Sequence, residues 1–446
     1  MKQQKRDDFK YVSKASPLTR PALTSTYEEE ALLRYGATWL SQLRLYLEKL
    51  EEVLGFKVDS RIPRRKLECF GSNTRGDAVL CCRYLKPQKP PKGVDTPLKC
   101  ARFVSLLPFR DDWQSFGCAN LDVWCTSQEF LDVGAGDSEE HAILLLNFLW
   151  WLQIHTAKKL ERPDELYLVI GSGIPEGDTC YVMQRPSGSQ KTRPDQIVLW
   201  NAHAGEAFSA ADARCPLVDI GCVVSPTQIW ANVQGFTSPS QLAYAFEDAT
   251  CWRPFYAAES SGDEESSKSC ACVCSPGPVQ ISRPDHLHSV QHQQLLYKEP
   301  DVVRAEEIQS ALSDELKRRV RRWRAKRARA TNARTNFSVD FSRKLQNLLP
   351  QLEHAKSEGR PLSADFLQRH AQDALGSSAQ WDLDALAFNV VFTDLETLLD
   401  RLRATNIHDT QRTDAQFVTG VYVHPLVHRI FSVWVYYGSV CPRRNG

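Results

Sequence analysis

The first regular pattern in the chain is a stripe of apolar residues at three-, four- and seven-residue spacings: Leu32, Trp39, Leu43, Leu47, Leu50 and Leu54. That spacing predicts a long amphipathic helix. Thr26 is placed to cap it, Glu28, Glu29 and Glu30 would favour its first turn, and Gly55 would end it. A β-like passage over Lys66–Tyr84 turns at Asn73–Gly76. Pro87, Pro90, Pro91 and Pro97 then make a connector, because proline denies both helix and ladder. A helix of roughly twenty residues is predicted from near Ser138, carrying Ala142, Leu145, Leu146, Leu149 and Leu152. Three β-like runs follow, Leu166–Gly171, Thr179–Gln184 and Ile197–Asn201, joined by short Gly/Pro turns. A helix followed by successive antiparallel strands predicts an α+β fold rather than alternating βαβ units. Val218–Val224 and Ile229–Val233 extend that core.

Beyond the core, residues 257–284 are acidic, rich in Ser and poor in large apolar residues, which predicts a disordered linker. Residues 285–446 open with helical segments, including the basic run Lys317–Arg329, and add a helix near Asp394–Arg403. They close on two strand-like runs, Phe417–Val423 and Ile430–Val440. The intervening turn is short enough only for an antiparallel return, and an isolated hairpin is marginal in water. The pair must therefore add to a larger sheet or lie under helices. The organisation expected is a mobile tail over 1–24, a helix and β-like extension over 25–97, the core over 98–256, the linker, and a carboxy-terminal part completing the core. No repeat of the 20–50 residue kind is visible.

Composition narrows the class. The 446 residues are 42% hydrophobic and 24% charged, with Lys+Arg 55 against Asp+Glu 54. This is a globular balance with no global basicity calling for nucleic acid. The longest apolar run, Ile143–Leu152, is interrupted by Asn147 and falls far short of the ~20 residues a membrane span needs. The polar start MKQQKRDDFKYVSK and fourteen scattered cysteines predict an intracellular protein in a reducing compartment.

The candidate chemistry lies at the start of the central helix. An acyl-transfer site of the transglutaminase or papain type needs a nucleophile at a helix amino terminus, where the dipole and free N–H groups favour an anion. It also needs a His on one strand as base and an Asp or Asn on the next strand to orient it. The segments GDSEEHAILLLNFL, TCYV and LWNAHAGE reproduce that order. The longer strings ARFVSLLPF, DVWCTSQEFLDVGAGDSEEHAILLLNFL, IGSGIPEGDTCYV, VLWNAHAGEAF, CPLVDIGCVVSPTQIWANVQ and VYVHPLVHRIFSVWVYYGS resemble one family. It is the coiled-coil and C2-domain proteins of the ciliary transition zone, in their carboxy-terminal transglutaminase-like region. The resemblance runs from about residue 98 to the end and extends to KLECFGSN at Lys66. The C2 module and coiled coil of the family are missing from residues 1–97.

The resemblance implies a transglutaminase-like/papain-like core with a degenerate triad, and because it treats the carboxy-terminal end as part of that region, it makes the sheet of the 98–256 core the expected host of the closing strand pair. Ser138 stands where active members carry the cysteine, Thr179 at the histidine position and Asn201 at the orienting acid. A serine hydroxyl is a poor nucleophile without a base, and threonine cannot serve as that base. Losing the nucleophile or base of a triad costs about 10⁶-fold in turnover. The expectation is a pseudoenzyme, with no cofactor and no metal. Structural roles stand beside each sharper one: Ser138 as a helix cap, His141 as a structural histidine, and Cys118 and Cys125 as buried apolar groups. Cys270, Cys272 and Cys274 lack CxxC spacing, and metal binding there or at His286, His288 and His292 is not needed by the fold.

In the basic run, Lys317, Arg318, Arg321, Arg322, Arg324, Lys326, Arg327 and Arg329 surround Val320 and Trp323. Three uses remain open: a solvated face paired with Glu306, Glu307, Asp314 and Glu315, a strip docking an acidic partner or anionic membrane surface, or nucleic acid, for which only Trp323 offers stacking. Two functions follow. One is an inactive scaffold, which the resemblance places at the ciliary transition zone or basal body with B9-type and tectonic-type partners. The other is a residual acyl-transfer or peptidase enzyme using Ser138 or a nearby Cys.

Overall fold

The computed structural model describes residues 28–443 apart from 29, 55–64, 118–121, 157–162, 189–191, 257–286, 332–334, 361, 376–379 and 393–394. Thr26, Gly55, the 1–24 tail, the 257–284 linker with its three cysteines, Cys118 and His286 lie outside the described residues, as do the side chains of Lys326, Arg327 and Arg329.

The amino-terminal part runs α1 (Glu30–Leu54), β1 (Phe70–Ser72), β2 (Ala78–Leu80), α2 (Pro97–Val104), α3 (Asp112–Phe116), α4 (Ser127–Val133) and α5 (Ser138–Thr156). It continues through β3 (Glu165–Gly173), β4 (Gly177–Arg185), β5 (Val198–Asn201), β6 (Glu206–Ser209), β7 (Leu217–Val224), β8 (Ile229–Asn232) and β9 (Trp252–Pro254). Strands β3 to β9 form one seven-stranded sheet in the order β6-β5-β4-β3-β7-β8-β9, antiparallel at every pairing. The predicted α+β order is what the chain adopts.

Strand alternation divides the sheet into two faces. Leu168, Ile170, Cys180, Val182 and Trp200 join the core built on Ala142, Leu145, Leu146 and Leu149 of α5. Val169, Tyr181, Met183 and Leu199 face a second core with Tyr244, Phe246 and Trp252. Helix α5 is apolar nearly all round because α2, α4 and the sheet surround it: Ile143 and Leu144 are as buried as Leu145. Helix α1 is fixed to the far edge of the sheet, where the Tyr35 hydroxyl donates to the Phe255 carbonyl at 2.6 Å and Trp39 Nε1 to the Pro254 carbonyl at 3.2 Å.

The carboxy-terminal part comprises α6 (Val302–Thr331), β10 (Asn336–Phe337), α7 (Val339–Gln346), α8 (Leu349–Ser357), α9 (Ala364–Leu375), β11 (Trp381–Val391), α10 (Leu395–Ala404), β12 (Gln416–Pro425) and β13 (Phe431–Pro442). The expected hairpin of β12 and β13 forms, but it does not join the first sheet. It builds its own, in the order β10-β12-β13-β11. The host is β11, which pairs with β13 over eleven consecutive residue pairs from Trp381↔Pro442 to Val391↔Ser432. Both faces of this second sheet are covered. Ala305, Ile308, Leu312, Leu316 and Val320 of α6 pack on Val421, Val433, Val435 and Tyr437, while Leu345, Leu349 and Leu352 cover Val418, Trp434 and Tyr436.

Several contacts join the parts, among them an ion pair between Lys99 of α2 and Glu358 after α8 at 3.1 Å. Arg102 of α2 reaches into the second sheet, its Nη2 donating to Asn389 Oδ1 at 2.8 Å and to Ser432 Oγ at 2.9 Å, and pairing with Glu353 at 3.3 Å. The β12–β13 turn meets α4, where His428 Nε2 lies 3.1 Å from Asp132. Ile430 enters the first core outright. Among the described residues no helix is long and apolar enough to cross a membrane.

Candidate functional site

The amino terminus of α5 meets the sheet where β4 and β5 separate. Their ladder pairs Val182 with Trp200 and goes no further in that direction, which leaves the Cys180 N–H without a strand partner. Ser138 Oγ fills that place, accepting from Cys180 N at 3.0 Å and donating to Glu139 Oε2 at 2.8 Å. The helix cap is therefore not Ser138 but Asp137. Its carboxylate accepts the Glu139 N–H at 3.3 Å, while Glu140 reaches back to the Asp137 N–H at 3.0 Å, a reciprocal capping arrangement.

The three sequence-predicted positions are brought to one end of the sheet, yet they form no mutual hydrogen bond. Ser138 touches the strand at the residue after Thr179. Thr179 belongs to the Tyr181 face by alternation, opposite the face on which α5 packs. Its hydroxyl is buried and has no hydrogen-bond partner among the described residues. Asn201 donates instead to the Tyr181 hydroxyl at 2.7 Å and to Glu176 at 3.3 Å, and accepts from Ala204 N. His141 is fully buried, with Nδ1 at 2.5 Å from the Asp137 carbonyl and Nε2 at 3.0 Å from that of Leu107. Burial pushes its pKa down to about 4. The neighbouring thiols are no better placed. Burial holds Cys125 and Cys180 well above the ordinary thiol range, whereas a nucleophilic cysteine needs the thiolate.

Under Ser138 lies an ion cluster that the sequence reading did not foresee. Lys66 Nζ stands 3.3 Å from Asp122, 3.5 Å from Glu68, 3.6 Å from Glu139 and 3.8 Å from Asp178. Burial alone would lower the Lys66 pKa, but Glu139 and Glu68 raise it above the usual range. Against its own burial, Glu139 is held below the ordinary carboxyl value by Asp137, Lys66 and Ser138. Its neighbours go the other way: burial pushes Glu68 and Glu140 up to about 7 and Asp112 up to about 6. Asp112, Asp122 and Asp137 place carboxylate oxygens within 4.8 Å of one another, a spacing a divalent cation could bridge. Backbone N–H groups already engage two of them, Val123 on Asp112 and Glu139 on Asp137. The available signal was the string GDSEEH: Asp137, Glu139 and Glu140 stand at the cap and first turn of a helix that is apolar nearly all round there, so some of them had to be buried.

The basic run divides. Val320 is buried in the α6 interface, and so is Arg324, which donates to the His408 and Thr410 carbonyls and lies over the Phe417 ring at 4.8 Å. Arg324 is thus a structural residue, not part of a docking strip. Arg318 pairs with Glu315, and Arg321 covers Phe337 at 5.1 Å. Arg318, Arg321 and Arg322 are exposed and Lys317 half-buried.

Comparison with known proteins places this geometry. A family model described as the CEP76 peptidase-like domain matches residues 122–255, from the Asp122 carboxylate to the last strand of the first sheet. Over 409 residues the chain is 26% identical to Protein CC2D2B of Homo sapiens, covering 88% of this chain and 24% of that protein. Coiled-coil and C2 domain-containing protein 2A of Drosophila melanogaster is 24% identical over 394 residues, 85% of this chain and 25% of that protein. The chain is related to the coiled-coil and C2 domain-containing proteins over most of its length. It spans about a quarter of the length of those two relatives. Centrosomal protein of 76 kDa from Mus musculus is 26% identical over 226 residues, 48% of this chain and 30% of that protein. The likeness to the coiled-coil and C2 domain-containing proteins extends well beyond 122–255, so it takes in much of the second sheet or of the residues before 122.

Proposed function

We propose that this chain is a catalytically inactive, transglutaminase-like scaffold module that binds proteins in cilium assembly, at the transition zone or basal body. The observation that supports inactivity most directly is the state of Ser138. Ser138 is 5% exposed, and its hydroxyl accepts a backbone N–H and donates to Glu139, so burial keeps a substrate carbonyl from the one lone pair left on Oγ. Among the described residues no imidazole hydrogen-bonds Ser138: His141 is held between two backbone carbonyls one turn along the helix. The centrosomal and coiled-coil/C2 names of its relatives support a ciliary or centrosomal setting. B9-type and tectonic-type components, an acidic partner or an anionic membrane surface remain the partners we propose, with Lys317, Arg318, Arg321 and Arg322 as the accessible cations of α6.

The test pairs chemistry with location. Hydrolysis of fluorogenic peptides and amine incorporation into a glutamine substrate should both stay at background, unchanged by Ser138→Ala, Cys125→Ala or Cys180→Ala. Turnover that any of these substitutions abolishes would establish the residual acyl-transfer or peptidase enzyme instead. Proximity labelling from the tagged protein in ciliated cells should recover transition-zone or basal-body proteins. Labelling confined to bulk cytosol would overturn the assignment of place.

A further inference from the structure

A cavity of about 370 Å³ opens between the two sheets, and Ser138 is not among the residues that line it. Its walls come from the loop after α2, the β5–β6 turn, α8, the end of β11 and α10. Arg102, Lys356 and Arg401 line it together with His203, and no carboxylate does. Among the described residues the acid in direct contact with these cations is Glu353, buried behind Arg102 and already accepting from Ser432 and Trp434. Glu206, at the start of β6, adds one more negative charge within electrostatic reach of Lys356 and His203. Among the described residues one carboxylate contacts the three cations, and two more, Glu206 and the Glu176 that acts on His203, lie at a distance.

Two further observations point the same way. Arg102 Nε is buried and has no hydrogen-bond partner among the described residues, a state that is costly for a guanidinium donor. Among the described residues Lys356 donates to Asn389 Oδ1 alone, at 2.9 Å, with its ammonium 5.8 Å from the Trp434 ring, and burial and then Arg102 push its pKa down to about 8. An anion in the cavity would relieve both. Ser105, Asn389 and Thr397 add polar groups to the lining, and Leu107, Phe109, Val390 and Leu398 give it one apolar side, with Phe109 46% exposed and its ring 5.3 Å from that of His203. The volume is at the low end of the ~300–1,000 Å³ typical of small-ligand pockets. It suits one or two residues rather than a length of polynucleotide.

We propose that this cavity binds the free carboxylate of an apolar residue at the carboxy terminus of a partner polypeptide. Arg102, Lys356 and Arg401 hold the carboxylate, and the Phe109 side of the cavity holds the apolar side chain. Cations without an apolar wall would suit inorganic phosphate as well; the wall selects an anion with a hydrocarbon substituent. The site does not depend on whether the Ser138 region is inactive, so its failure would leave that reading untouched.

The probes are N-acetyl-leucine, N-acetyl-leucinamide and inorganic phosphate, titrated into the full chain by calorimetry. N-acetyl-leucine should bind in the millimolar range and its amide about 10-fold more weakly or not at all. Arg401→Ala, an exposed position that the fold tolerates, should weaken the acid by about 10-fold, and Lys356→Met should do the same with the thermal melt of each variant checked alongside. Equal binding of acid and amide, phosphate binding tighter than N-acetyl-leucine, no binding of the acid up to about 10 mM, or an Arg401→Ala variant with unchanged affinity would each overturn the proposal.

Discussion

Replacing Lys66 by methionine keeps the stem and removes the charge from the centre of the cluster below Ser138. Each of its four carboxylate contacts, at 3.3 to 3.8 Å, amounts to about 4–5 kcal/mol of Coulomb energy at an effective dielectric of 20. The contacts do not add. Asp178 is 65% exposed at its side chain and Asp122 38%, so solvent screens both. Glu139 is 6% exposed at its side chain and Glu68 19%, and these two would be left as buried charges without their cation. Removing one partner of such a buried pair costs about 3–5 kcal/mol. The loss should also depend on pH in a defined sense. Without Lys66, the folded-state pKa values of Glu68 and Glu139 rise above their unfolded value near 4.3. A raised folded pKa contributes stability that is present below the unfolded pKa and lost as pH rises through the folded one. The native Glu68 already stands at about 7. The difference between native and Lys66→Met protein should therefore be largest at pH 8 and narrow toward pH 5. Urea unfolding followed by tryptophan fluorescence at the two pH values measures it. A loss below about 1 kcal/mol at pH 8, or a difference that fails to narrow, would refute the account of the cluster as one buried cation among several acids.

Three further outcomes follow from the packing. Gly221→Ala would set a Cβ against the Lys66 backbone, 2.7 Å from its carbonyl carbon, and should cost about 3 kcal/mol or prevent folding; soluble yield and thermal melting report it, against Gly420→Ala, where the nearest atom is 3.1 Å away. Arg102→Ala leaves Glu353 buried at 4% exposure with no cation and should cost about 3–5 kcal/mol, read as a lowered or split thermal transition if the two sheets part. Ser138→Ala removes the acceptor of the Cys180 N–H and should cost about 1–3 kcal/mol, measured by denaturant midpoint.

The first sheet was legible because its signals are local. The runs at Leu166, Thr179 and Ile197 alternate or cluster between Gly/Pro turns, and they became β3, β4 and β5 in antiparallel order. Strand β11 was not seen. WDLDALAF does alternate, but Asp382 and Asp384 occupy its outward positions, and aspartate is a poor strand former away from an exposed edge. With β11 missed, the carboxy-terminal hairpin had no visible host of its own, and the family resemblance pointed to the first sheet instead. The same limit applies to Ser138. Local pattern identified a polar residue at a helix start, and in fact Asp137 caps while Ser138 completes a broken ladder, a role fixed by where β4 and β5 diverge. The Lys66 cluster draws on residues 66, 68, 122, 139 and 178. No window of the sequence contains it.

Helix α1 contacts its anchors, the Phe255 and Pro254 carbonyls, across 220 and 215 residues of chain. During synthesis the helix leaves the ribosome long before they exist. At about 5–20 residues per second the wait is roughly 10–40 s. Throughout it Tyr35, Trp39, Leu43 and Leu47, all buried in the finished fold, have no sheet edge to cover. A nascent chain with such a helix is a client for holdase chaperones, and its yield should respond to the rate at which residues 55–255 are translated.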